Sequence, residues 1–309
     1  MDYSVTVLMA VHNGGPFLKP AIESILNQSY ADFQFLVVDD ASTDDTREVV
    51  RSYGDDRIEL VCLKENVGQT AALNVGLRQT ETPWMARMDA DDYSAATRLE
   101  EQMKAVQEDP DIDCLGTYAW TFFDDPANVE GEITTHLDHS SIKRALLRGS
   151  PLIHGTIVVR TQALLDVGGY DDRYRYSADV EMYDRLLTKY KAGTIPSPLL
   201  GIRRHEGQGS RTSVAFDENI EIFSRRLEKH TYSPLEASAV KESLSRFYLF
   251  RARQRAGKAR IVGSLRDTAK AARTSPKSFI INAGKVFLID LIPERTRPRI
   301  KRILAKIRP

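Results

Sequence analysis

A chain of 309 residues with 42% apolar and 28% charged side chains is too mixed to be fibrous or disordered, and is long enough for one large or two modest domains. Its 43 basic and 43 acidic residues cancel overall, yet residues 246–309 hold 18 of the basic ones against Asp267, Asp290 and Glu294. The first 245 residues are therefore acidic. The basic tail suits either an anionic partner, a membrane surface or nucleic acid, or a solvated helical face that neutralises the body.

The N-terminus, Met1-Asp2-Tyr3-Ser4, lacks a charged leader before an apolar stretch, so no secretory signal is expected and a cytoplasmic location follows. Val5–Val11 is an unbroken apolar run, the pattern of a strand buried on both faces. Pro16–Gln28 repeats apolar residues at helical spacing, with Pro16 suited to a first turn. Phe33–Val38 predicts a second strand ending in Asp39-Asp40, and Ser42 or Thr43 can cap a helix over Asp44–Tyr53. Ile58–Leu63, Gln69–Gln79 and Trp84–Met88 continue the alternation as strand, helix and strand. Such units imply an α/β fold, Rossmann-like, with a mostly parallel sheet and helices on both faces.

Later segments are mixed. Thr97–Glu108, Ser140–Leu147 and Asp179–Lys189 predict helices, and Ile112–Tyr118, Thr156–Arg160 and Leu199–Arg203 predict strands. Cys62 and Cys114 each lie in an apolar run and are expected as two buried thiols. Trp84 and Trp120 are expected in the core. Beyond residue 212 the patterning is helical only, which divides the chain into 1–212, with halves 1–95 and 96–212, and a basic helical region 213–309. Phe279–Ile292, interrupted by Lys285 and Asp290, is shorter than the roughly 20 residues of a membrane span.

Ligands of parallel sheets bind beyond the C-terminal strand ends. Four polar segments fall there: His12-Asn13-Gly14, Asp39-Asp40, Lys64-Glu65-Asn66 and Asp89-Ala90-Asp91-Asp92. Three carboxylates in four residues repel one another unless a cation or hydrogen bonds compensate. Mg²⁺ and Mn²⁺ take oxygen ligands and bridge carboxylates to phosphates, so the cluster reads as a metal-diphosphate site. The competing reading makes Asp92 or Ser94 the cap of the next helix. Asp40 can accept from a base or from ribose hydroxyls, while the same segment can cap.

The strings Val-Leu-Met-Ala-Val-His-Asn, Val-Val-Asp-Asp-Ala-Ser-Thr-Asp, Glu-Asn-Val-Gly-Gln-Thr-Ala-Ala-Leu-Asn and Ala-Arg-Met-Asp-Ala-Asp-Asp, in this order and spacing, resemble family-two glycosyltransferases with the GT-A fold. The resemblance runs on through Ser150 to Thr156, Gly168-Gly169-Tyr170, Asp179 with Arg185, and Arg203-Arg204-His205-Glu206-Gly207, covering roughly residues 4 to 212. It implies inverting transfer from a nucleotide diphosphate sugar to a glycan or lipid-linked acceptor, with Mn²⁺ or Mg²⁺ as cofactor and no nucleic acid partner. Residues 1–95 become the nucleotide-sugar half and 96–212 the acceptor half. By position Asp40 resembles the base-binding residue, Ala10 and Asn13 line the same pocket, Asp89 stands near the ribose, and Asp91 is the main metal ligand. His205 resembles a residue that reaches the metal or diphosphate, and the following Glu206 to Ser210 suits a closing loop.

Asp179 matches the catalytic base of an acidic pair whose first member is here Ala178, so Glu181 stands as an alternative base and an N-cap as the bland reading of Asp179. His154 reads as support for the acceptor pocket. In the tail, Phe279, Ile280, Val286, Phe287, Leu288, Leu291 and Ile292 among Lys277, Lys285, Arg295 and Arg297 fit an interfacial helix on anionic lipid, or a helix packed on protein. Two other functions compete: a nucleotide-sugar-binding module without turnover, in a polysaccharide assembly complex, and a nucleotidyltransferase. The latter is disfavoured because His12-Asn13-Gly14-Gly15-Pro16 carries no basic residue.

Overall fold

The computed structural model describes residues 4–205, 213–229, 231–257 and 261–288. The chain divides into two compact units, Met1–Ser210 and Arg211–Pro309. In the first unit β1 (Val5–Val11), β2 (Phe33–Asp39), β3 (Ile58–Cys62) and β4 (Trp84–Asp89) run parallel in the spatial order β3-β2-β1-β4. Helices α1 (Leu18–Leu26), α2 (Thr46–Ser52) and α3 (Gln69–Gln79) make the crossovers. The chain steps outward from β1 to β3 and then returns to the other side of β1 as β4. That reversal opens a crevice at the C-terminal ends of β1 and β4, where ligands of such sheets bind.

The complete burial of β1 is explained by cover on both faces. Val5, Val7, Met9 and Val11 share a core with Leu18, Ile22 and Ile25 of α1. On the opposite face Leu8 meets α3 at Gly76, where a Cβ would collide with the leucine and approach Val38 Cγ2 to 3.1 Å. Gly76 therefore sets how closely α3 lies on the sheet.

The remaining elements are β5 (Tyr93–Ser94), α4 (Arg98–Glu108), β6 (Cys114–Phe122), β7 (Gly131–Ile133), α5 (His139–Leu146), β8 (Val158–Arg160), α6 (Thr161–Asp166), α7 (Ala178–Lys189) and β9 (Ala192–Arg203). They widen the sheet to nine strands among the described residues, continuing β4-β8-β6-β9-β5 with β7 beside β6. Strand β8 is antiparallel to β4 and β6, whereas β9 is parallel to β6. The expected α/β class with a mostly parallel sheet and helices is observed.

Several local expectations are corrected. Neither Ser42 nor Thr43 caps α2: Asp45 is the N-cap and makes no side-chain cap bond, while Asp44 accepts from Thr46. Asp92 and Ser94 do not cap α4, whose N-cap is Thr97. Cys62 is exposed, because it ends an edge strand; Cys114 is buried. Trp84 is buried, but Trp120 is only partly so and donates its Nε1 to the Pro126 carbonyl at 2.9 Å.

The second unit contains α8 (Ser213–Lys229), α9 (Pro234–Gly257), α10 (Ile261–Thr274) and α11 (Pro276–Leu288). Its buried ion cluster joins Asp267 to Arg251 at 2.7 Å and to Arg255 at 2.8 Å. Phe279 and Ala283 of α11 pack on Leu249 and Ala271, whereas Ile280 and Ile281 are exposed. Among the described residues no helix is long and apolar enough to cross a membrane. Leu291, Ile292, Arg295 and Arg297 of the expected interfacial segment, and the expected closing loop Glu206 to Ser210, lie outside the described residues.

Candidate active site

A cavity of about 750 Å³ occupies the crevice predicted by the strand order. Ala10, Asn13, Asp40, Asp89, Asp91, Asp179 and His205 all line it. The ladders explain why. Ala10 is the register partner of Asp89 on β4, and Val11 that of Asp39 on β2, which sets the three strand ends at one level.

The loops at the β1 and β2 ends are laced together. Asn13, with φ of 53°, donates its backbone N–H to Ser42 Oγ at 2.8 Å, and its side-chain oxygen accepts from the Thr43 N–H at 2.8 Å. Ala41 is also left-handed, at φ of 55°, a conformation that costs a non-glycine residue about 1–2 kcal/mol. Asp39 holds this turn by accepting from the Ser42 N–H at 3.2 Å and pairing with Arg47 at 2.5 Å. Asp40 is buried, and its two oxygens accept from the N–H groups of Val67 at 2.7 Å and Gly68 at 2.9 Å. It thereby fastens the loop after β3 to the rim of the cavity.

Beyond β4, Asp89, Asp91 and Asp92 each present a carboxylate oxygen, all within 4.8 Å of one another. Each acid also has its own protein partner. Asp89 forms an ion pair with Arg87 and accepts from Gln69 Nε2 at 3.1 Å. Asp91 meets His205 Nε2 at 2.8 Å, and Asp92 accepts from the Arg203 N–H at 3.1 Å. Burial, followed by the charge of Asp89, raises the carboxyl of Asp91, and His205 pulls it back. Burial and the charges of both neighbours push Asp92 well above the ordinary aspartate range. An all-oxygen, mutually repelling set of this kind fits a hard divalent cation. His205 touches the set through Asp91.

Arg203 at the end of β9 braces this region. Its guanidinium donates to the carbonyls of Asp91 at 3.1 Å, Phe123 at 3.1 Å and Asp124 at 2.7 Å. It also stacks on Phe17 and Phe122, 4.8 and 4.6 Å from the ring centroids.

Across the cavity, Asp179 stands in the first turn of α7, with Ser177 as N-cap, so it is not the cap itself. Burial raises its carboxyl above the ordinary range; the Ser150 hydroxyl, donating at 2.8 Å, opposes that rise. Glu181 does not line the cavity. It is buried and paired with Arg185, which also donates to the Gly169 carbonyl at 2.9 Å. The acid two residues on is thus engaged in anchoring α7 to the 167–169 turn. His154 Nε2 lies 2.8 Å from the Tyr170 hydroxyl, and burial keeps the imidazole well below its usual pKa.

Lining residues to which sequence reasoning gives no role include Arg87, Tyr170, Arg175 and Tyr176. For Arg87 a signal existed, since a charge inside an otherwise apolar strand needs a polar reason. Asp92, which the sequence leaves as either a member of the acid cluster or a cap, accepts from Arg203 and belongs to the cluster.

Residues 6–168 match the family model described as glycosyl transferase family 2. The Bacillus subtilis protein EpsE, named as a glycosyltransferase, is 31% identical over 219 residues, 69% of this chain and 77% of EpsE. The O-antigen biosynthesis glycosyltransferase WbnJ of Escherichia coli is 27% identical over 226 residues, 69% of this chain and 85% of its own. Among solved structures, S. aureus TarS 1-349 in complex with UDP-GlcNAc superposes with a TM-score of 0.66 at 18% identity, covering 98% of this chain and 87% of that one. The last comparison establishes likeness of fold.

Proposed function

We propose a donor, a metal and a base for this chain, which belongs to glycosyl transferase family 2 and is a glycosyltransferase. It transfers a sugar from a nucleoside diphosphate sugar to a hydroxyl of a glycan or lipid-linked acceptor, with inversion at the anomeric carbon. The observation that carries this reading is the convergence of three carboxylates at the β4 end beside the Asn13–Asp40 pocket. The name of WbnJ supports a glycan acceptor, and the UDP-GlcNAc bound by TarS supports the donor class.

Asp40, Asn13 and Ala10 line the nucleoside end, with Asp89 toward the ribose. Asp91, with Asp89 and Asp92, would hold Mn²⁺ or Mg²⁺, and His205 orients the Asp91 carboxylate. When bound, the cation neutralises charge that builds on the departing diphosphate. Asp179 takes the proton of the acceptor hydroxyl as the new C1–O bond forms and the C1–O bond to the diphosphate breaks. One displacement of this kind inverts the anomeric centre.

A thermal-shift panel of UDP-, GDP- and dTDP-sugars, with Mn²⁺ or with EDTA, tests donor and metal together. One donor at about a hundred times its Kd should add about 2.7 kcal/mol, several degrees in Tm, in Mn²⁺ alone. No shift with any donor, or equal shifts in EDTA, would refute the scheme.

The basic excess of residues 246–309 and the exposed Ile280 and Ile281 support a peripheral contact with the inner face of the cell membrane. Co-sedimentation with phosphatidylglycerol vesicles, absent with phosphatidylcholine and abolished by Ile280→Asp with Ile281→Asp, is the expected result. Equal sedimentation with both lipids would count against it.

A further inference from the structure

Arg87 is a buried charge on the cavity wall to which the scheme above gives no role. It lies in β4 between Ala86 and Met88, and its side chain is 3% exposed. Its Nη1 is taken up by an ion pair with Asp89, and its Nε has no hydrogen-bond partner. Unfilled buried donors are rare in folded proteins. The same unit provides two comparisons. Buried Arg98 donates to the Arg87 carbonyl at 2.8 Å and to Gln102 Oε1 at 3.1 Å. Buried Arg203 fills its donors with three carbonyls. Arg98 and Arg203 have their nitrogens occupied, whereas Arg87 lines the cavity with its Nε unfilled.

Its position says what the guanidinium could meet. Arg87 lines the same cavity as the acid cluster and as Asp179, the proposed base. In the transfer reaction, C1 of the sugar is bonded first to the diphosphate and then to the acceptor oxygen, so the donor sugar must lie between those two groups. A guanidinium on the cavity wall shared by both is placed to meet that sugar. Its planar fork suits a pair of neighbouring oxygens, which ring hydroxyls supply.

We propose that Arg87 is a specificity-determining residue whose guanidinium, paired on one side with Asp89, donates to oxygens of the donor sugar, so that the cavity reads the sugar as well as the nucleotide. The assignment rests on the donor reading given above. Asp89, paired to the same guanidinium, then links sugar recognition to the metal-binding cluster two residues along the chain.

The test separates sugar from nucleotide. Affinities are measured in Mn²⁺ for UDP and UDP-GlcNAc, GDP and GDP-mannose, and dTDP and dTDP-glucose, on wild type, Arg87→Lys and Arg87→Gln, each with a melting curve. In wild type one sugar strengthens binding over its nucleoside diphosphate. Arg87→Lys keeps the charge beside Asp89 and should hold nucleoside diphosphate affinity within about threefold, while the gain from the sugar falls about tenfold or more. A merely structural arginine would lose both affinities in parallel, or neither, and either result in a folded variant overturns the assignment. So does a wild type that gains nothing from any of the three sugars. Failure of wild type to bind any nucleotide would instead sink the donor reading itself. Should both variants melt before assay, monodeoxy analogues of the preferred sugar nucleotide on wild-type protein decide the matter. One must bind about tenfold more weakly, and equal binding of all would overturn the proposal.

Discussion

Exchanging Asp91 for asparagine should lower sugar transfer about a thousandfold, the effect of withdrawing roughly 4 kcal/mol of charge stabilisation from the transition state. Asparagine keeps the shape of the side chain and can still meet His205, so the loss would isolate the negative charge. Unfolding is not the expected cause. Burial and the neighbouring Asp89 both disfavour the Asp91 carboxylate in the metal-free protein, so the variant should melt no lower than wild type. Initial rates across a Mn²⁺ titration, with melting curves, provide the check. Retained metal-dependent turnover at the wild-type rate would remove Asp91 from the ligand set.

Asp179→Asn should cost about a thousandfold in transfer while sugar-nucleotide affinity stays within about threefold, because a general base contributes to the step and not to donor binding. The pH profile adds an independent reading. The base works as the carboxylate, so activity falls as the pH drops through its pKa, which burial has raised. The Ser150 hydroxyl stabilises the charged form. Ser150→Ala must therefore raise that pKa further and move the acidic limb of kcat/KM to higher pH. A limb that stays in place would mean that another group sets it. Glu181→Gln, by contrast, should lower the melting temperature with little change in the limb, since it loosens the Arg185 anchor of α7.

The parallel half was legible because burial on both faces leaves a plain pattern. The range of α3 was read to the residue, and the polar strand ends were located before any geometry was known. Strand β9 was read only over its last residues. Its first part, Ala192 to Pro198, carries Gly193, Pro196 and Pro198, which read as loop. The ladder to β6 admits the prolines through irregular register: Thr117 pairs with Ile195, yet Tyr118 pairs with Pro198. A bulge supplied by a partner strand more than 70 residues away leaves no local trace.

Within the site, what sequence could not supply was the identity of the partners. Asp92 looked like a cap because a capping acid and a buried acid share one local pattern. Its true partner is the N–H of Arg203, 111 residues on. Glu181 was an open rival to Asp179 because spacing does not tell which side of a helix faces a cavity. In the fold Asp179 lines the cavity, whereas Glu181 is buried against Arg185.

The braces at Arg203 and His205 also bear on the order in which the enzyme matures during synthesis. Strands β1 to β4 and the loop holding Asp40 come from the first 92 residues, so the Asn13–Asp40 end of the cavity needs only chain that leaves the ribosome early. The acid cluster is made in that same stretch, but the groups that hold Asp91 and Asp92 arrive over a hundred residues later. Until then the three like charges have no braces from β9. A nascent chain halted before Arg203 would thus hold the Asn13–Asp40 pocket without a finished acid cluster, delaying sugar transfer until the whole first unit has emerged.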